Sequence, residues 1–423
     1  MAERLTAQDA GAHVRGVCFK TGPPALVGVE LEWLVHDLVD PLRPVPRARI
    51  ERALDGLGGP GAFPGGSSFS REPGGQVELS SRPGPLAACV ADIAADTALL
   101  RARLAAHGMA LAGWGLEPFL ARNRVLRLPR YEAMEAHFDR GGPWGRRMMR
   151  CSAGLQVNLD AGDESPGITG WRRRWELAHR LGPVLVAAFA NSPLWRGRPT
   201  GWRSSRQAVW WRTDPTRTRP PRHGEDPREA WARYALDAAV LCVRCDGDGD
   251  GDWRAPAGLT FRAWCDGAVP GLRPPTVEDL DYHLTTLFPP VRPRGWLELR
   301  MIDTQHGDEW VVPAAVSAAL FDDPVAAEAA WEATAPLCVS GSVPDAPTWT
   351  RAARFGLSAP EFAKAALHCF TAAERALPAS LRTPVSTFIE RYVARGRCPA
   401  DDRLDALPGG ASPALRELQE AWR

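Results

Sequence analysis

The chain reads as an α+β protein: one curved, largely antiparallel sheet with helices on its apolar side. Three observations predict this. Four short segments alternate strictly between aliphatic and polar residues, as strands with one buried face do. Long stretches of helical periodicity separate those segments. And the strand patterns are half polar, whereas an all-parallel sheet covered on both faces would show continuous apolar runs.

The first segment, Val27-Gly-Val-Glu-Leu-Glu-Trp-Leu-Val35, sets Glu30 and Glu32 on one face and Val29, Leu31 and Trp33 on the other. The second, Arg71-Glu-Pro-Gly-Gly-Gln-Val-Glu-Leu-Ser80, reads as a strand with Gln76, Glu78 and Ser80 opposite Val77 and Leu79. Within it, Gly74-Gly75 is suited to a tight turn bringing Glu72 and Glu78 round one site. Leu155-Gln-Val-Asn-Leu-Asp160 sets Gln156, Asn158 and Asp160 against Leu155, Val157 and Leu159; Trp296-Leu-Glu-Leu-Arg-Met301 pairs Glu298 with Arg300. A wet sheet face ordinarily carries Thr, Ser or Lys, and glutamate is depleted in strands. Two acids on neighbouring same-face positions stand about 7 Å apart at the strand rise. Such a pair is unfavourable unless a positive charge lies between, and a hard divalent cation with oxygen ligands is the simplest.

Helical periodicity is clearest from Pro85 to Gly108, where Leu86, Val90, Ile93, Thr97, Leu100 and Leu104 recur at spacings of four and three and Gly108 is a stop. Further helices are expected over Trp171 to Asn191, Pro227 to Cys242, Pro313 to Ala335 and Ala359 to Leu377, with Ser358 and Glu361 as a capping box for the last. Asp214 to Pro227 and Asp246 to Asp252 read as loops. The second resembles a calcium ligand series, but Ala257 stands at its twelfth position, where a glutamate is needed. No internal repeat is visible, and the 423 residues are taken as one catalytic domain with a helical C-terminal part over 326–423.

Bulk composition excludes several classes. Net charge is +1, with Lys20 and Lys364 the only lysines, which is no footprint for nucleic acid. No run approaches the ~20 apolar residues of a membrane span, and the first residues lack a secretory apolar run, so a cytoplasmic location is expected. Nine scattered cysteines suggest reduced thiols. The lone Cys242-Val-Arg-Cys245 lacks the second pair a zinc site needs. Cys151 has no base beside it in sequence, so it is not expected to act as a nucleophile. There is no phosphate-binding Gly-Lys loop, so a nucleotide has no local signature.

Together the Glu-x-Glu strand, Glu72-Pro-Gly-Gly-Gln-Val-Glu78, Met148-Met149 followed by Gln156-Val-Asn-Leu-Asp160, and Leu284-Thr-Thr-Leu-Phe-Pro289 leading to Leu297-Glu-Leu-Arg300 resemble the glutamate–cysteine ligases of the plant and proteobacterial type. Arg206-Gln-Ala-Val-Trp210, Thr213-Asp-Pro-Thr-Arg-Thr218 and Tyr234-Ala-Leu-Asp237 follow the same order. The resemblance spans roughly 25–325, and in its Arg-rich, compact character the chain is similar to the actinobacterial branch serving ergothioneine synthesis.

The resemblance implies a glutamine-synthetase-like catalytic sheet. It also implies ATP-dependent joining of the γ-carboxylate of L-glutamate to L-cysteine through a γ-glutamyl phosphate. Glu30, Gln156 and Glu298 would hold one magnesium ion and Glu32, Glu72 and Glu78 another. Arg300 would contact the transferring phosphate, Arg206 would bind the glutamate α-carboxylate, and Ser152, Trp210 and Tyr234 would line the substrate pockets. Two other readings stay open: a ligase of the same mechanism using a different amine, and an inactive relative that regulates a partner. Partners are thus the small molecules glutamate, cysteine and ATP. The oligomeric state is left open.

Overall fold

The computed structural model describes residues 5–59, 61–245 and 251–407. Asp246 to Asp250 of the acidic loop therefore lie outside the described residues. Among the described residues nine strands form: β1 Val27–Asp37, β2 Ser68–Arg71, β3 Val77–Ser80, β4 Met109–Ala112, β5 Gly154–Asp160, β6 Leu194–Trp195, β7 Arg198–Pro199, β8 Val291–Pro293 and β9 Trp296–Asp303. Seven make the main sheet in the order β2-β3-β1-β5-β9-β8, with β4 also pairing β1, and every pairing is antiparallel. Strands β6 and β7 make a separate small hairpin.

The alternation sorts the two faces as expected. Val29, Leu31, Trp33, Val77, Leu79, Leu155, Val157, Leu159, Leu297 and Leu299 are all buried. Helices Leu86–Ala106, Trp171–Ala188 and Val311–Asp322 pack on the sheet, and helices Pro360–Ala376 and Ala379–Arg391 pack on those in turn. Among the described residues no helix is long and apolar enough to cross a membrane.

Several boundaries differ from the sequence expectation, each for a local reason. The 71–80 stretch is not one strand. It is the end of β2, a turn and β3, with Gly75 at φ +87° and its amide bonded to the Glu72 carbonyl at 2.9 Å. The glycine pair thus makes the turn expected of it. The first long helix ends at Ala106, with Gly108 at φ +67° behind it. The expected 313–335 helix is two, Val311–Asp322 and Pro324–Thr334. Pro324 excludes the α conformation at Asp323, which instead caps the second helix by accepting from the Ala326 amide at 2.8 Å.

The helix from Pro227 stops at Asp237. Val240 leaves it to bond the Leu259 carbonyl at 2.7 Å, burying the apolar 238–242 run against the 254–260 segment. The Ser358–Glu361 capping box does not form. Pro360 at the first helical position makes Ala359 the cap, Ser358 Oγ donates to the Phe355 carbonyl, and Glu361 pairs with Arg351. In the 214–227 loop, one helical turn, Pro215–Thr218, is inserted.

Candidate active site

The polar face is organised by register. Glu32 stands directly opposite Glu78, which stands opposite Ser70; Glu30 lies between Ser80 and Gln156; Asn158 lies opposite Glu298, and Glu298 opposite Arg292. Like charges directly opposite on adjacent strands repel, so the Glu32–Glu78 pair is a deliberate stress in the sheet.

The β5–β9 ladder shifts register between Leu155 and Val157, so Arg300 and Met301 together oppose Gln156. A bulge re-aims a side chain. Here Arg300 ends up donating to the Gln156 amide oxygen and pairing with Glu298 at 3.1 Å.

A cleft of about 200 Å³ opens over this face, lined by Glu30, Glu32, Glu72, Glu78, Gln156 and Arg300. Its far wall comes from three helices: Pro129–Phe138 supplies Arg130 and Tyr131, Trp144–Cys151 supplies Met148 and Met149, and Ser205–Arg212 supplies Trp210.

Burial and mutual repulsion disfavour ionisation of the acids. Burial, then repulsion from Glu298 and Glu78, pushes the Glu30 carboxyl up to about 7. Burial with Glu78 and Glu32 pushes Glu72 up to about 8. Burial with Glu32 pushes Glu78 up to about 7, although Ser70 and Ser80 donate to it at 2.9 and 3.3 Å. Glu32 is raised by burial even though Arg206 and the Gly154 amide, at 2.7 Å, favour its charge. Tyr131, beside Glu72 and Glu78, is raised to about 12 by burial first and by those acids second.

Glu298 behaves oppositely. It is fully buried, yet Arg292, at 2.5 and 3.0 Å, and Arg300 outweigh the cost of burial and hold it down at about 2. It stands behind the cleft wall rather than on it.

The donor set suits a hard cation: carboxylate and amide oxygens line the cleft without a thiolate or an imidazole. Among the described residues no three acidic, histidine or cysteine groups already converge as a ready cage. The acids ring the cleft instead, and arginines occupy the oxygens of Glu298 and Gln156. Ligation by either of those two needs the arginine to give way; Glu30, Glu32, Glu72 and Glu78 carry no such restriction.

The substrate-pocket residues divide. Ser152 and Trp210 line the cleft. Ser152 Oγ donates to the Met148 carbonyl, while its carbonyl accepts from Gln76 at 2.7 Å. Arg206 is buried behind Trp210, its guanidinium 5.6 Å from that ring and 3.9 Å from Asp303. One of its Nη atoms bonds the Arg300 carbonyl at 3.0 Å, while Nε and the other Nη are buried without a hydrogen-bond partner. Only glycine at 154 leaves room for that guanidinium, which a Cβ there would strike.

Tyr234 stands apart from this cleft. It stacks on Trp231 at 5.2 Å, one helical turn away, and lies outside the cleft lining, near Asp214 and Arg217. Sequence reasoning missed Arg130, Tyr131 and Arg292. The signal for Arg292 was present: Gly295, at φ +90°, makes the β8–β9 turn that sets it across from Glu298. The fully buried Cys151 has its thiol raised by burial, as befits an inert core residue.

The chain is similar to several known proteins. The family model described as glutamate–cysteine ligase family 2 matches residues 26–422, well past the 25–325 stretch that carries the motifs. The chain is 43% identical to glutamate–cysteine ligase EgtA of Mycolicibacterium smegmatis over 98% of this chain and 95% of that one. It is 41% identical to EgtA of Mycobacterium tuberculosis, covering 96% and 92%. Identity to the chloroplastic glutamate–cysteine ligase of Brassica juncea is 31%, covering 76% and 65%. A buried-backed antiparallel sheet whose polar face carries paired glutamates with Arg292 and Arg300, together with a family match over residues 26–422, makes this protein a member of glutamate–cysteine ligase family 2.

Proposed function

We propose that the protein joins the γ-carboxylate of L-glutamate to the amine of L-cysteine at the expense of ATP, releasing γ-glutamylcysteine, ADP and phosphate, and that the product feeds ergothioneine synthesis. The observation that carries this reading is the cleft where Glu30, Glu72 and Glu78, with carboxyls raised to about 7 to 8, face Arg300. Amide formation is uphill in water, so the carboxylate must first be activated. Phosphoryl transfer asks for positioning and neutralised charge more than covalent help from the protein.

Glu30, Glu32, Glu72 and Glu78 would hold magnesium, with Glu298 and Gln156 joining where Arg292 and Arg300 release them. The ion would supply neutralisation of the phosphate oxygens. Arg300, on its bulge, presents a planar fork to the moving phosphoryl group. Arg206 offers two unpartnered donors to the glutamate α-carboxylate. Burial lowers its proton affinity, with Asp303 and Glu32 sustaining the charge. No protein nucleophile is needed, because the amine attacks the acyl phosphate directly.

The intermediate is tested with glutamate carrying oxygen-18 in its γ-carboxylate. One labelled oxygen should appear in the released phosphate for each dipeptide formed. Label-free phosphate beside labelled dipeptide would remove the acyl-phosphate route.

A further inference from the structure

Asp303 ends β9, three residues beyond Arg300, and is buried outside the lining of the acidic cleft. A buried carboxylate needs partners for its oxygens, and this one faces three hydrogen-bond donors and one cation. Oδ2 accepts from the Asn191 amide at 2.9 Å and from Ser192 Oγ at 2.7 Å, and Oδ1 accepts from Ser204 Oγ at 3.0 Å. Arg206 Nη1 stands 3.9 Å from Oδ1, close enough for Coulomb attraction but too far for a hydrogen bond. The pair therefore compensates the buried guanidinium without occupying its donors.

Both serines lead on to the helix that carries Arg206. Ser204 is the N-cap of Ser205–Arg212 and accepts from the Gln207 amide at 3.2 Å, while Ser192 Oγ accepts from the Arg206 amide at 3.1 Å. One carboxylate thus grips the backbone of the first helical turn and, across a gap, the cation that this turn presents. The fit is close on both sides. A Cβ on Gly115 would strike the Asp303 carboxyl, as one on Gly154 would strike the guanidinium. Of the acids that keep Arg206 protonated against burial, Asp303 acts most strongly and Glu32, in the cleft, comes next.

We propose that Asp303 is a positioning residue for glutamate binding, holding the Arg206 guanidinium in place for the α-carboxylate while leaving Nε and Nη1 free to receive it. The proposal rests on the reading of Arg206 as the α-carboxylate clamp and adds the group that sets the clamp. An asparagine at 303 shows why charge and geometry both count. With its oxygen kept on the Asn191 amide and Ser192, its NH2 falls where Oδ1 stands and turns N–H groups toward Ser204 and the guanidinium. The cation is then repelled and uncompensated, and Glu32 is its next acid. Turning toward Glu32 occupies the donors that glutamate needs.

The test uses the full chain with magnesium and ADP for titration calorimetry of glutamate. The ligation assay gives kcat and the KM values for glutamate and ATP, for wild type, Asp303→Asn, Arg206→Ala and the double variant. Asp303→Asn should weaken glutamate binding and raise its KM by about tenfold or more, as loss of a buried charge partner does. Its kcat and its KM for ATP should stay within about threefold, because a merely structural lesion would lower kcat and leave KM alone. Added to Arg206→Ala, Asp303→Asn should change kcat/KM by less than about threefold, since its effect passes through the guanidinium. Melting curves establish that each variant folds. Should Asp303→Asn fail to fold, Ser204→Ala decides: it keeps the carboxylate, removes one hydroxyl bridge, and should raise KM for glutamate about fivefold or more.

Unchanged or tighter glutamate binding in the folded variants, or additive losses in the double variant, would overturn the positioning role and leave the ligase reading intact. A protein that binds glutamate, loses it in Asp303→Asn, and yet makes no γ-glutamylcysteine would support the positioning role and sink the ligase reading. No glutamate affinity in wild type by either readout would overturn both.

Discussion

Replacing Glu78 by Gln should stabilise the metal-free protein and abolish its turnover. In the fold this carboxyl titrates at about 7, against 4.5 for an ordinary glutamate, because it is buried opposite Glu32. At about 1.4 kcal/mol per tenfold in proton affinity, keeping it ionised at pH 8 costs the fold on the order of 3 kcal/mol. The sign follows from proton counts. Between roughly pH 4.5 and 7 the folded chain holds a proton that the unfolded chain has released, so stability falls as pH rises through that window and stays lost above it.

Glutamine keeps an oxygen for the Ser70 and Ser80 hydroxyls and removes the charge. At about 2.1 cal/mol/K per residue over 423 residues, relief of that size raises the melting temperature by about 3–4 °C at pH 8 and by clearly less at pH 5. Scanning calorimetry in chelator across pH 5 to 8, with the ligation assay in parallel, measures both effects. Added magnesium should raise the wild-type melt at pH 8 and should raise that of Glu78→Gln less. A Glu78→Gln melt equal to or below wild type throughout, or near-normal turnover, would refute the reasoning.

Three further outcomes follow from the same face. Arg300→Lys keeps charge but loses the planar fork, so kcat should drop by about 100-fold or more while KM for glutamate moves less than threefold; a change confined to KM would place Arg300 in the substrate pocket. If Arg206 clamps the α-carboxylate, 4-aminobutyrate should be a very poor substrate for wild type. Arg206→Ala should lose most of its kcat/KM with glutamate and its preference between the two, and wild type using both equally would remove the assignment. Arg292→Ala strips the bidentate partner from the buried Glu298, and should lower stability by about 3–5 kcal/mol, read as a lower urea midpoint; Arg292→Ala combined with Glu298→Gln should recover part of that loss, and no recovery would break the pairing argument.

The sheet was legible because period-two patterning is unambiguous when one face is aliphatic and the other is Glu, Gln and Arg. Strands β1, β5 and β9 were found this way, and Glu30, Glu32, Glu72, Glu78, Gln156 and Arg300 do meet in one cleft. Register was not legible. That Glu32 faces Glu78, that a bulge turns Arg300, and that Arg292 neutralises Glu298 are cross-strand facts, and one strand read alone contains none of them. The cleft wall from Arg130 and Tyr131 escaped because the short helix Pro129–Phe138 has no clear apolar stripe. Tyr234 stands apart from the cleft because its helix turns the aromatic toward Trp231, which side-chain type alone does not reveal. The Pro324 break was present in the sequence and is explained by the restriction proline places on the preceding residue.

The central claim is tested most directly by product analysis on the purified chain with magnesium, ATP and glutamate, offering cysteine and then serine, alanine and 2-aminobutyrate as the amine. Mass spectrometry should find γ-glutamylcysteine with one ADP per dipeptide, cysteine giving the highest kcat/KM and the reaction ceasing in chelator. No dipeptide from any amine, or an amine without a thiol preferred over cysteine, would contradict it.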